Sequence, residues 1–441
     1  MNVVLAKSET RRVVSDIFTS VRDRLPGAGK VLDARLQAFE AYERAGLPHR
    51  RLEDWKYTDL RALMREVLPL AAAPDASALK RSEAALKAVS AVDAYRLVLV
   101  DGVFAPSLSS LKKLEAGVRV QTLRDVLEDS SNAARADLLE NGVASGAMIA
   151  LNAAMATDGV LITVGDGSVL AKPLHIVHVA TRSAAASYTR SFLKLGKAAQ
   201  VTLLESFVVA EGAKSHQVND AVTISLGDNA HLQHVRLMAD SADATNITTA
   251  IFTIGANARL ATFNMTSGGG LSRYQGYLTF AGEGAEVNAN GVNLLNGRQH
   301  ADTTLFLDHA VPHCSSREVF RSVVDDRAHS VFQGRIIVQP DAQKTDAKMM
   351  TRALLLSDEA EADNKPELEI FADDVTCGHG ATTGALDESL LFYLRARGLS
   401  EKEAQSLLIQ AFVGEAIESI ASDDLRELAV STAERWLAAR G

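Results

Sequence analysis

Two cysteines occur in a chain of 441 residues, and one of them, Cys377, is followed two positions later by His379. The surrounding stretch reads DDVTCGHGATTG, residues 373–384. Thiolate and imidazole are both good ligands for iron and zinc. At this spacing an extended backbone projects the two side chains to the same side. Gly378 and Gly380 leave room for a second backbone or a cluster to approach. Asp373 and Asp374 stand near enough in sequence to orient the imidazole or guide a cation. A plainer arrangement uses the same residues: a buried cysteine and a hydrogen-bonded histidine where strand gives way to helix. Local chemistry alone does not choose between them. A cluster wants about four ligands, so the metal reading requires the others to come from another chain.

The rest of the chain offers less. DHAVPHC, residues 308–314, would place His309 and His313 on one face of a strand, although ordinary polar strand positions explain it more simply. His175, His178, His216, His231, His234 and His300 are scattered and read as ladder or surface residues. There is no GxxxxGK[ST], HExxH, CxxC or GxSxG; GAGK at 27–30 lacks the upstream glycine, and GHGATTG misses GxGxxG by one residue. The chain therefore carries no phosphate cradle and no evident nucleophile–base pair. Two cysteines exclude a disulfide framework and a self-contained thiolate metal site. A net charge of −9 argues against nucleic acid as the main partner, and 47% hydrophobic residues predict a large core. The opening MNVVLAKSETRRVVSDIF reads as an amphipathic helix rather than a signal peptide, and no 18-residue apolar window exists. A cytoplasmic, non-membrane chain is expected.

What would hold Cys377 and His379 in place? The pattern predicts a mostly helical N-terminal region, residues 1–150, with helices near 8–24 and 31–45 and a strand at 95–104 ending in an Asp101–Gly102 turn. From residue 150 a motif recurs: VGDGSVL at 164, LGKAAQV at 195, LGDNAHL at 226, IGANARL at 254 and AGEGAEV at 281. Glycine turns repeated every 27 to 31 residues signal stacked coils. Residues 151–380 are accordingly expected to form a parallel β-helix, each repeat giving one long coil or two short ones. Residues 381–441 return to helix. Ser400 and Glu403 form a capping box. Leu407, Leu408, Ala411, Phe412, Ile417 and Ile420 line one apolar face, and Leu425, Leu428, Trp436 and Leu437 one side of a second helix near 423–439.

Three blocks then resemble the SufB/SufD family of the SUF iron–sulfur cluster assembly system. They are LEDWKYTDL (52–60), VFQGRIIVQPDAQKTDAKMMTRALLLSDEAEADNKPELEI (331–370) and PELEIFADDVTCGHGATTGALDESLLFYLRARGLSEKEAQSLLIQAF (366–412). Two cysteines, the Cys–x–His pair and EDWKYT favour the SufD branch; a SufB-like scaffold paralogue is the alternative. Gly378 departs from relatives that often carry serine there. The resemblance implies a right-handed β-helix between helical regions, a SufB–SufD heterodimer through the β-helix, and a SufC ATPase docked on the C-terminal helices, with Arg397, Gly398, Leu399 and Phe412 as contact residues. It implies a non-catalytic scaffold that supports iron entry and nascent cluster assembly while SufC hydrolyses ATP. His379, then Cys377, would ligate a transient iron or cluster shared with SufB, with Asp373 and Asp374 behind them. A homodimer of the isolated chain is also implied. The resemblance also links such complexes to reduced flavin, so that a flavin in the complex is possible, although the sequence shows no site for it. The functional class set against this is a stand-alone β-helix acyltransferase, since LGDNAH and IGANAR match its hexapeptide; that fold needs the hexapeptide every six residues, whereas here it comes once per 27 to 31. Co-purification with a P-loop ATPase separates the two.

Overall fold

The computed structural model describes residues 2–64 and 66–440. Its centre is a two-sheet parallel β-solenoid of about eight coils over residues 160–384. Each recurring motif closes one coil, and each coil gives one strand to each sheet. The glycine turn joins the two strands, which settles the question of one coil or two per repeat.

The turn chemistry explains the motif. Gly196, Gly227, Gly255 and Gly282 stack one above another; a Cβ on Gly227 would lie 2.9 Å from the Gly196 carbonyl carbon, and one on Gly255 2.8 Å from the Leu226 carbonyl oxygen. No larger residue fits between coils stacked at the strand spacing. Two residues on, the backbone turns left-handed, at Ala198, Asn229, Asn257 and Gly284 (φ 55°, 58°, 53° and 71°), which Asn and Gly tolerate best. The small residue that follows, Ala199, Ala230, Ala258 or Ala285, is fully buried.

Coils in exact register turn sequence alternation into columns. Val164, Leu195, Leu226, Ile254, Phe280, His309, Val338 and Ile370 pair in succession across one sheet. Val201, Leu232, Leu260, Val287, Ser316, Ala347 and Cys377 do so across the other. His309 is thus a member of an apolar column, stacked on Phe280 at 4.1 Å, and burial pushes it down to about 4. His313 lies outside any strand, in a turn at φ 62°, so the two histidines of DHAVPHC do not share a face.

The N-terminal region is less separate than a helical domain ending at 150. Tyr95–Val100 pairs in parallel with Leu174–Ala180, and Val118–Thr122 antiparallel with Val160–Val164, so each solenoid sheet continues into it. Helix Ala147–Met155, buried throughout, follows just before the first coil. The LEDWKYTDL block clamps the outside of the solenoid. Trp55 lies 3.8 Å from the Arg273 guanidinium, Arg273 is ion-paired with buried Asp302, Thr58 hydrogen-bonds to Asp302, and Glu53 pairs with Lys365 of the last coil.

At the C-terminus, Glu388–Ala396, Glu401–Ile417 and Asp423–Ala439 are helices, and the Ser400–Glu403 capping box is present. The middle helix buries Ala404, Ile409, Val413, Ala416 and Ile417 on the flank of the solenoid, while Leu407 and Ala411 are exposed. Of the expected stripe, Ile417 and Ile420 are buried and Phe412 packs against the core, while Leu407 and Ala411 face outward. This helix is apolar on two sides, so periodicity cannot say which side the core takes. In the last helix the expected side holds: Leu425, Trp436 and Leu437 are buried and Leu428 packs against them.

Candidate functional site

Strand Thr376–Gly384 is the last strand of the ten-stranded sheet, and Glu361–Ile370 that of the nine-stranded sheet; neither has an outer neighbour among the described residues. Cys377 pairs with Ala347 and His379 with Met349. Both partners are buried core residues, so the face shared by Cys377 and His379 is the interior one. The pair closes the columns of the hydrophobic core at the open end of the solenoid. Cys377 is half-buried and free, packed on the core; His379 is exposed.

Partial burial, with Asp346 and Glu318 nearby, raises the Cys377 thiol above its ordinary value. It is protonated at neutral pH, and ligation must displace that proton. A Cβ on Gly380 would lie 2.6 Å from the Met350 methyl, the flexible end of a side chain that would have to shift, whereas one on Gly378 meets nothing within 4 Å. Serine at 378 would therefore fit.

Asp373 and Asp374 lie in the exposed turn before the strand. Lys344 holds the Asp374 carboxylate, and the Asp374 amide donates to Gln343 at 2.9 Å. Among the described residues neither carboxylate is hydrogen-bonded to the His379 imidazole, so the expected orienting contact is not formed within this chain.

One residue that sequence reasoning missed stands behind the pair. In the interior column Ala289, Glu318, Met349 and His379 follow one another. Glu318 is fully buried, neither oxygen makes a well-formed hydrogen bond, and burial pushes it up to about 8. The signal was the alternation of Ser316, Glu318, Phe320 and Ser322, which puts a carboxylate in inward phase. Only the position of the axis says which phase is inward.

The expected partner contacts fall elsewhere. Gly398 ends the Glu388–Ala396 helix region in the left-handed conformation, φ 94°, and Arg397 lies over the Tyr393 ring at 4.7 Å. Gly398 and Leu399 line an open groove of about 740 Å³ with Phe392 and Glu403. Phe392, Tyr393 and Leu390 are exposed at 75%, 53% and 51%. Phe412 is half-buried beside Arg321, which pairs with Glu415. The cavity beside His178 is about 10 Å³, room for about one water. The groove at Val169, His231, Arg259 and Glu286 presents no Phe, Tyr or Trp face.

The SufBD core domain of SUF system FeS cluster assembly matches residues 178–412, and the SufBD protein N-terminal region matches 13–176. The iron–sulfur cluster assembly protein SufD of Escherichia coli K12 is 32% identical over 395 residues, 89% of either chain. A SufBD-family iron–sulfur cluster assembly protein of Synechocystis is 32% identical over 389 residues, 85% of this chain and 84% of its own. SufD of Bacillus subtilis is 24% identical over 420 residues, 91% of this chain and 92% of its own.

Proposed function

The chain belongs to the SufBD family of SUF-system iron–sulfur cluster assembly proteins, and from that premise we propose that it is the SufD-like, non-catalytic scaffold subunit of a cytoplasmic SufB–SufC–SufD complex. In this reading nascent iron or cluster is cargo, bound where the open end of the solenoid meets SufB. His379 and Cys377 supply this chain's ligands, and SufB supplies the rest.

The observation that carries the reading is that the only Cys–x–His pair sits on the inner face of an unpaired last strand. Two unpaired strand edges in parallel can accept strands of a partner by main-chain hydrogen bonding. Pro366 in Glu361–Ile370 lacks a donor, which suits an edge strand alone. Phe371 and Ile370, 61% and 41% exposed beside the edge, are covered in such a pairing. Exposed Leu390, Phe392 and Tyr393 with the adjacent groove suit docking of SufC, and the segment 385–441 carries 10 acids against 6 bases, a net charge of −4. SufC hydrolyses the ATP for which this chain has no phosphate loop.

The test is the complex co-expressed with SufB and SufC. His379→Ala leaves the complex assembled and lowers its iron and acid-labile sulfide several-fold or more; Cys377→Ala does the same or less. Wild-type content in the His379→Ala complex would make the histidine a structural residue only.

A further inference from the structure

A second polar constellation lies at the other end, inside the first coils, and does not rest on the reading above. His178 of strand Leu174–Ala180, Glu205 of Gln200–Val209 and Asp220 of Gln217–Leu226 come from three consecutive coils. All three point into the solenoid and are at least nine-tenths buried, and one ligand atom of each lies within 4.8 Å of the other two. We infer that His178, Glu205 and Asp220 form a buried site for one divalent first-row transition-metal ion.

The surroundings hold the three groups without satisfying them. The His178 ring is stacked on Phe207 at 4.4 Å, with planes 6° apart. Its Nε2 stops 4.0 Å from Asp220 Oδ1 and has no hydrogen-bond partner among the described residues. Thr189 Oγ1 donates to Asp220 Oδ1 at 2.5 Å, while Asp220 Oδ2 has no partner among the described residues. His234 Nε2 lies 2.7 Å from Glu205 Oε2, and its Nδ1 2.9 Å from Thr262 Oγ1. That is the outer support a ligating carboxylate is usually given. An unpartnered nitrogen and an unpartnered carboxylate oxygen, buried and converging, are costly to leave unmade; one shared cation satisfies both.

Charge points the same way. Three buried carboxylates, Glu205, Asp220 and Asp240, act on one permanent cation, Arg236; Asp240 stands against His216 at 2.8 Å and Glu205 against His234. The Arg236 guanidinium is bonded to Asn264, Asn246 and Thr248 at 2.9 Å each and lies on the Phe207 ring at 4.6 Å. The remaining negative charge is met by an ion or by protons, on Asp220 or on the imidazoles of His234 and His216. One imidazole and two carboxylates suit Fe²⁺, Mn²⁺, Co²⁺ or Zn²⁺, and the set contains no thiolate.

The experiment uses the full chain carrying Cys377→Ser and His379→Ala, which removes the ligand pair at the open end, and Co²⁺ as the probe under anaerobic dialysis. One Co²⁺ per chain is retained, with visible d–d bands and no sulfur-to-metal charge transfer. Asp220→Asn and, separately, His178→Gln each weaken retention at least about 100-fold, more than loss of an outer-shell partner does. Circular dichroism checks each variant, and His178→Gln carries the test if Asp220→Asn fails to fold. No retained Co²⁺, or equal retention by a folded His178→Gln chain, overturns the site and leaves the proton as the occupant. Retention in the wild type that vanishes with Cys377→Ser and His379→Ala places the ion at the open end and overturns it too.

Discussion

The two ends of one solenoid are finished differently. At the first coils, strands from the N-terminal region extend both sheets and helix Ala147–Met155 is buried throughout. The interior there contains His178, Glu205, Asp220, His234 and Arg236, polar groups shielded from water; His234 bonds to Glu205, Arg236 to Asn264 and Thr189 to Asp220. At the last coil the same columns end with no further strand among the described residues, and Cys377 and His379 are the final residues of two of them. Equivalent inward positions thus carry groups that lock the fold at one end and groups offered to solvent at the other. Burial decides which role a polar side chain can take: inside, it must be paired; at the edge, it is free to bind.

That contrast is open to breakage. The largest effect is expected at the closed end. Arg236→Ala removes a buried cation that is hydrogen-bonded to Asn264, Asn246 and Thr248 and lies on the Phe207 ring, leaving those acceptors unmet, so it costs about 3–5 kcal/mol. Denaturant unfolding measures this, beside Cys377→Ser and His379→Ala, which stay within about 1 kcal/mol of the parent. Equal costs at the two ends would remove the distinction.

A smaller effect is expected on the exposed helices. Phe392→Asp should weaken SufC binding about tenfold or more with unchanged unfolding, read by titration of the purified subunits. Unaltered affinity would move the docking surface away from the Glu388–Ala396 helix.

The smallest effect sharpens the comparison, because Glu318 is a closed-end type of group near the open end. Its folded value is raised by burial to about 8, so the folded state holds a proton that the unfolded chain releases. Stability from this residue is full below the ordinary carboxylate value and declines as pH rises towards 8. Glu318→Gln should therefore be neutral at pH 4 and raise the melting temperature by a few °C at pH 8. A gain independent of pH would mean that the carboxylate is ionised in the fold. His175, His300 and His309, lowered by burial to about 3, 4 and 4, act with the opposite sign. They stay neutral when folded, so their contribution is lost as pH falls from about 6.5 to 4.

Much of this molecule was determined by sequence alone. Turns such as Gly227–Asp228–Asn229 and Gly255–Ala256–Asn257 are local. A glycine with no space for Cβ and a left-handed residue two positions later are chemical necessities that repeat with the coil. The Ser400–Glu403 cap and the shared side of Cys377 and His379 are local in the same sense, following from hydrogen bonds and strand alternation within a few residues.

What tertiary structure decided is everything that depends on which side faces the axis and which coils are neighbours. Glu318 is an ordinary acidic residue until register sets it in the column under His379. His178, Glu205 and Asp220 are far apart in the chain and meet because coils of similar length stack in phase. The C-terminal helix with two apolar sides takes its buried face from the solenoid flank that it meets. Alternation assigns residues to two faces, but only the closed coil tells inside from outside, and only stacking tells which residues share a level.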